Sequence, residues 1–407
     1  MRFQAVGRRI DELKDECVGF LTRICAIPAI GPDNQGTGEM EKYRVIQDEV
    51  MSLGPQTIRE VHAPDDRVPD GVRPNLLALF HGKDASKTLW ILSHIDVVPP
   101  GELALWDHAP FEPRIENGFV TGRGVEDNGQ ALAASLFAAK AVAETGGFAV
   151  NVGLALVSDE ETGSLYGLDY VLRECPELFK LDDLIIVPDA GNKDGDEIEV
   201  AEKHLFHVRF EVKGQQGHAS RPDRTVNTLR AASHFIVELD RALASRFPQQ
   251  NAFFSPPFST FEPTKKEANV PNINTIPGED VFYFDCRVLP EIKLDLVMDE
   301  MQNVAKRIEK EFGVKTVVEE FLKNPAAETT PPDSPAVVAL AQAIQEVYGV
   351  QARPIGIGGQ TVALFFRRRG LPAAVWEKIF ATAHAPNERI SVENLMGDAK
   401  VFARMMV

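Results

Sequence analysis

Short, almost wholly apolar runs alternate with helix-length segments through the first half of this 407-residue chain. The runs are Leu76–Phe80, Thr88–Ser93, Asn151–Ser158 and Asp183–Val187, and the segments are Gly38–Leu53, Gln130–Thr145 and Gly167–Cys175. A strand without polar alternation is buried on both faces, so helices must cover both sides of its sheet. The pattern predicts an α/β/α sandwich. At this length one core is not enough, and two domains are expected.

From about residue 203 to 325 the order changes. A strand (Leu205–Val212), a long helix (Val226–Ala242), two strands (near Thr260 and at Val281–Val288), a helix (Lys293–Phe312) and a strand (Val314–Glu320) read β-α-β-β-α-β. That is the ferredoxin-like order. The Pro- and Thr-rich stretch Asn324–Pro335 marks a boundary. Helix Ala336–Tyr348 and strand-like pieces near Pro354, Ala373 and His384 then resume the first pattern. A domain of residues 1–202 and 326–407 is therefore expected to carry an inserted α+β domain, 203–325, as a hinged lid.

Five side chains sit at or just past strand ends or in glycine-rich turns, where ligands of open α/β sheets gather. They are His94 in Ser-His-Ile-Asp-Val-Val-Pro, Asp127 in Gly-Arg-Gly-Val-Glu-Asp, Glu161 in Ser-Asp-Glu-Glu-Thr-Gly, Asp189 in Val-Pro-Asp, and His384 in Ala-His-Ala-Pro-Asn-Glu. Two imidazoles and three carboxylates, one able to bridge, suit a pair of zinc ions, with cobalt or manganese as alternatives. Such a pair polarises a carbonyl and activates water, which is hydrolase chemistry. Glu160, beside Glu161 and pointing the other way in an extended segment, is placed as general base and then acid. Asp96 shares a strand face with His94 and is a candidate for fixing its tautomer. Gly-Arg-Gly-x-x-Asp lacks the third glycine or the Lys-Ser/Thr ending of a nucleotide loop.

In the inserted segment, His218 follows the first strand within Gly-His-Ala-Ser and is free to reach a carbonyl oxygen. Asn274 and Arg287 are candidates for oxyanion and carboxylate contacts, the Arg fork matching a carboxylate. The formal net charge of −17 makes nucleic acid and anionic membranes poor partners. No run approaches the roughly 18 to 20 apolar residues of a membrane span, and the amphipathic N-terminus is unlike a signal peptide. Cys17, Cys25, Cys175 and Cys286 show no Cys-x-x-Cys spacing and read as buried thiols in a reducing cytoplasm.

Together these motifs, with Trp106, Pro110-Phe111 and Asn-x-Ile-Pro, resemble the two-zinc metallopeptidase and deacylase family. That family includes glutamate-type carboxypeptidases, aminoacylase-1, acetylornithine deacetylase and succinyl-diaminopimelate desuccinylase. The resemblance spans nearly the whole chain. It implies that Asp127 bridges two metals, with His94 and Asp189 on one and Glu161 and His384 on the other. It also implies Glu160 as base, Asp96 as partner of the ligands, and His218 as an oxyanion contact, often supplied across a homodimer formed through the lid. The Gly358-Gly359 loop is implied to hold a substrate carboxylate. Asn128-Gly129-Gln130 and Gly358-Gly359-Gln360-Thr361 depart from the family's usual residues. Asp189 in place of Glu leans toward peptidases. The expected activity is cleavage of an amide bond in a small molecule or short peptide by an exopeptidase. N-acyl-amino-acid deacylation is the alternative, and a metal-loaded binding protein without turnover is the remote one, disfavoured by Glu160.

Overall fold

The computed structural model describes residues 2–407. Two compact units are present. One comprises the chain up to Val200 with Thr329–Ile355 and Thr361–Val407; the other comprises Ala201–Glu328 with Gly356–Gln360. The second is inserted in the sequence of the first, and the loop 356–360 groups with the insert.

The first unit is built on an eight-stranded sheet. Its spatial order is Thr57–Glu60, Leu76–Phe80, Phe148–Val157, Gly82–His94, Leu184–Asn192, Ala373–Lys378, Glu197–Glu202 and Arg353–Ile357. The central pairings are parallel, so several carboxyl ends open on one edge. The register sets His94 opposite Val157.

The pleat sends alternate residues to opposite faces. Trp90, Leu92, Ala155, Val157, Ile185, Val187 and Val375 share one face with Val171, Leu172, Ala363 and Phe366 from helices Leu168–Glu174 and Ala363–Arg368. The residues between them, such as Leu89, Ile91, Leu154 and Leu156, are equally buried. Helices Ala131–Glu144 and Val392–Met406 pack on that side. The former, rich in alanine and almost wholly buried, lets helix and sheet backbones approach closely. Each large side chain sealed here contributes about 1.5–3 kcal/mol. This is the α/β/α sandwich expected.

The second unit has a four-stranded antiparallel sheet ordered Thr260–Lys266, Glu279–Val288, His204–Lys213, Lys315–Asn324. Helices Thr228–Arg246 and Leu294–Phe312 pack on it. Numbered along the chain, the strands lie 2-3-1-4, as in the ferredoxin-like fold. Phe206, Val208, Phe210, Phe282 and Phe284 fill the interface, with Phe210 and Phe282 stacked at 4.9 Å. Asn227 caps the first helix by accepting from the Arg230 amide at 3.0 Å.

All four cysteines are buried and free. Among the described residues no helix is long and apolar enough to cross a membrane. Three local expectations change. The strand expected to close at Val187 runs from Leu184 to Asn192, so Asp189 lies within it rather than past its end. The strand-like piece at His384 is a turn, and Glu160–Thr162 forms a 3-10 turn rather than an extended segment. That turn begins at Asp159, whose φ of 64° bends the chain immediately after the strand.

Candidate metal centre

His94 is the last residue of its strand, Glu161 follows the neighbouring strand by one turn, and Asp189 lies within Leu184–Asn192. Asp127 sits between Gly124 and helix Ala131–Glu144. Gly124 has φ 77°, and a Cβ there would meet Val97 Cγ1 at 2.5 Å, so only glycine lets this turn lie against the core. These elements bring together two ligand groups that share a carboxylate: His94, Asp127 and Asp189, and Asp127, Glu161 and His384. His94 Nε2 lies 2.7 Å from Asp127 Oδ1 and 3.4 Å from Asp189 Oδ1. His384 Nε2 lies 3.1 Å from Asp127 Oδ2 and 3.0 Å from Glu161 Oε2.

The donor set fits a pair of divalent cations. Three carboxylates crowd two imidazoles, and Glu161 Oε1 is buried with no hydrogen-bond partner among the described residues. Burial opposes charge on His94, but Asp127, Asp189 and Asp96 outweigh it and hold its pKa well above the ordinary value. Asp127 and Glu161 push His384 up to about 10. Burial lifts Glu161 to about 7, whereas His384 and His94 overcome burial to hold Asp127 low.

Asp96 acts on both sides of the centre. His94 Nδ1 donates to its main-chain carbonyl at 3.0 Å, leaving Nε2 as the ligand nitrogen. The Asp96 carboxylate lies 3.5 Å from Nδ1 and instead accepts the amides of Glu160 and Glu161 at 3.1 and 3.0 Å. It therefore pins the turn that carries Glu160 and Glu161. Asp96→Ala is expected to weaken cation binding roughly 10- to 100-fold. Equilibrium dialysis at wild-type affinity would remove this role. Burial, then Asp189, raises the Glu160 carboxyl well above its ordinary range.

Three side chains support the centre; sequence reasoning noted Asn128 only as a departure and missed Glu126 and Glu388. Asn128 donates to the Pro188 carbonyl at 2.5 Å and to Asp189 Oδ1 at 3.3 Å, fastening the ligand strand. Glu126 accepts the amides of Phe380 at 2.7 Å, Thr382, and Ala383 at 2.9 Å. Glu388 accepts those of Gly124, Glu126 and Asp127 at 3.0, 2.8 and 3.0 Å, and pairs with Arg123 at 2.5 Å. Glu126 and Glu388 stood inside motifs already singled out. Their signal was an acid beside each ligand with no surface reason to be there.

The remaining candidates belong to the second unit. His218 is exposed on a two-residue strand paired with Thr275–Ile276. Its Nδ1 accepts from the Ser220 amide at 3.1 Å, which leaves Nε2–H as a donor. Asn274 is exposed, and its carbonyl accepts the Ala219 amide at 2.9 Å, holding the His218 turn. Arg287 forks onto Asp285 at 2.6 and 3.0 Å and donates to the Gly358 carbonyl at 3.2 Å. Its charge is thus already opposed by a carboxylate. Gly358 and Gly359 lead to Gln360, whose amide donates to the carbonyls of Lys203 and Asn324, each at 3.0 Å. The departure at Gln360 therefore ties the residue that precedes the first strand of the insert to the end of its last strand.

Residues 90–407 match peptidase family M20/M25/M40. An uncharacterized metallohydrolase of Methanocaldococcus jannaschii is 36% identical, over 97% of this chain and all of that one. A succinyl-diaminopimelate desuccinylase of Nitratiruptor sp. is 26% identical, over 93% of this chain and 96% of its own length. The solved structure of a Saccharomyces cerevisiae di-peptidase superposes with TM-score 0.73 at 20% identity, covering 99% of this chain and 98% of that one. The fold and the paired ligand groups agree with those matches: this chain belongs to peptidase family M20/M25/M40 and is a metallohydrolase of peptidase or deacylase type.

Proposed function

We propose that this protein is a two-zinc exopeptidase, of dipeptidase or carboxypeptidase type, that hydrolyses the amide bond of a short peptide. The observation that carries the catalytic reading is Glu160. It lies one residue from a ligand, its backbone is pinned by Asp96, and its proton affinity is raised by burial and by Asp189. A site that only stored metal would have no use for it.

Two divalent cations, when bound by His94, Asp127, Asp189, Glu161 and His384, supply carbonyl polarisation and lower the pKa of a water toward about 7. Glu160 takes a proton from the attacking water and hands it to the departing nitrogen, first as base and then as acid. Asp96 keeps the Glu160 backbone fixed during both transfers. The Nε2–H of His218 is the proposed donor to the charge that develops on the carbonyl oxygen, a contact comparable to other oxyanion donors. Arg287, opposed by Asp285, is a weaker choice for a substrate carboxylate than its sequence motif suggests. Asn274 and the Gly358-Gly359 loop remain the other proposed substrate contacts.

Asp189, the shorter acid at its position, favours peptides over acyl-amino acids. The desuccinylase relative supports the alternative. Assays of dipeptides beside N-acetyl and N-succinyl amino acids, with zinc, cobalt or manganese added, separate them. Dipeptide turnover at least tenfold faster is expected. Faster acyl cleavage would make the protein a deacylase, and no cleavage of either class would leave a binding protein. A cytoplasmic homodimer joined through the second unit completes the proposal. Sedimentation as a monomer at assay concentration would remove the dimer.

A further inference from the structure

Two carboxylates outside the ligand set bind the centre crosswise. Glu126 precedes Asp127 in sequence, yet its side chain holds Phe380, Thr382 and Ala383, the loop that presents His384. Glu388 follows His384, yet its side chain holds Gly124, Glu126 and Asp127, the turn that presents the shared ligand. Both are sealed from solvent, at 2% and 0% exposure. A buried carboxylate is costly unless its oxygens are satisfied, and these satisfy theirs on the backbone of the opposite loop. The loop held by Glu126 needs restraint. Ala381 and His384 both have left-handed φ, 59° and 63°, which side chains other than glycine rarely adopt.

We infer that Glu126 and Glu388 are positioning residues that couple the two cation positions, and that they do so unequally. The inference rests on the reading of these ligand groups as a two-cation centre. Asp127 belongs to both groups, so loosening its turn through Glu388 weakens both positions. His384 belongs to one group only, so loosening its loop through Glu126 weakens the Glu161–His384 position and spares the other.

The metal-free protein is titrated with cobalt(II), following visible absorption and equilibrium dialysis. Wild type is expected to bind two ions per chain. Glu126→Ala is expected to keep one ion at near wild-type affinity and to bind the second roughly 10- to 100-fold more weakly, the range for partners that orient ligands. Glu126→Gln keeps an oxygen toward Thr382 and Ala383 and is expected to restore part of that loss. Glu388→Gln is expected to weaken both ions, with circular dichroism unchanged for the variants. Two ions bound by Glu126→Ala as tightly as by wild type, or both lost equally, would overturn the coupling. A wild-type protein that binds no cobalt would overturn the two-cation reading instead.

Discussion

Glu160→Ala is expected to lower kcat about 10²- to 10⁴-fold, the span that a positioned acid-base group supplies, while two cations remain bound. Glu160 is in neither ligand group, and its neighbours Asp96 and Glu161 are held by contacts its side chain does not make. Proton transfer should therefore fail without loss of the centre. KM should change little, because the interaction removed belongs to the transition state. The decisive comparison is metal content beside turnover on one preparation. Full activity would refute the role, and loss of metal in proportion to loss of activity would recast Glu160 as a structural support.

Asp127→Ala is expected to empty both positions at once and reduce hydrolysis to background. The reason is geometric: one carboxylate faces His94 through Oδ1 and His384 through Oδ2. Asp189→Ala, which touches a single group, should cost one cation. A metal present at 100 times its Kd stabilises the fold by about 2.7 kcal/mol. Added zinc should therefore raise the melting temperature of wild type but not of Asp127→Ala. Retention of a tightly held ion by Asp127→Ala would show that the groups are independent.

The elements of this fold were legible because burial writes itself locally. The wholly apolar Leu76–Phe80 is a strand over those same residues, and the alanine-rich run after Gly129 is the helix Ala131–Glu144. Sheet order was not legible. Phe148–Val157 inserts between Leu76–Phe80 and Gly82–His94, strands that are adjacent in sequence, and no local pattern reports such a pairing. The ligand residues stood out because imidazoles and acids rarely end apolar strands without cause. Their supports did not: the contact of Glu388 with Asp127 joins residues 261 apart. The ion pair of Arg287 with Asp285 was legible, since two residues that lie two apart in the expected strand Val281–Val288 share a face, but it was not drawn.

The crossed clasp also has a consequence for biosynthesis. A nascent chain that has emerged only as far as about residue 380 already displays His94, Asp127, Glu161 and Asp189. It lacks both the second imidazole and the carboxylate that shapes the Gly124–Asp127 turn. Fragments cut short of that point are thus expected to bind divalent cations more weakly than the full chain, a difference that equilibrium dialysis reads directly.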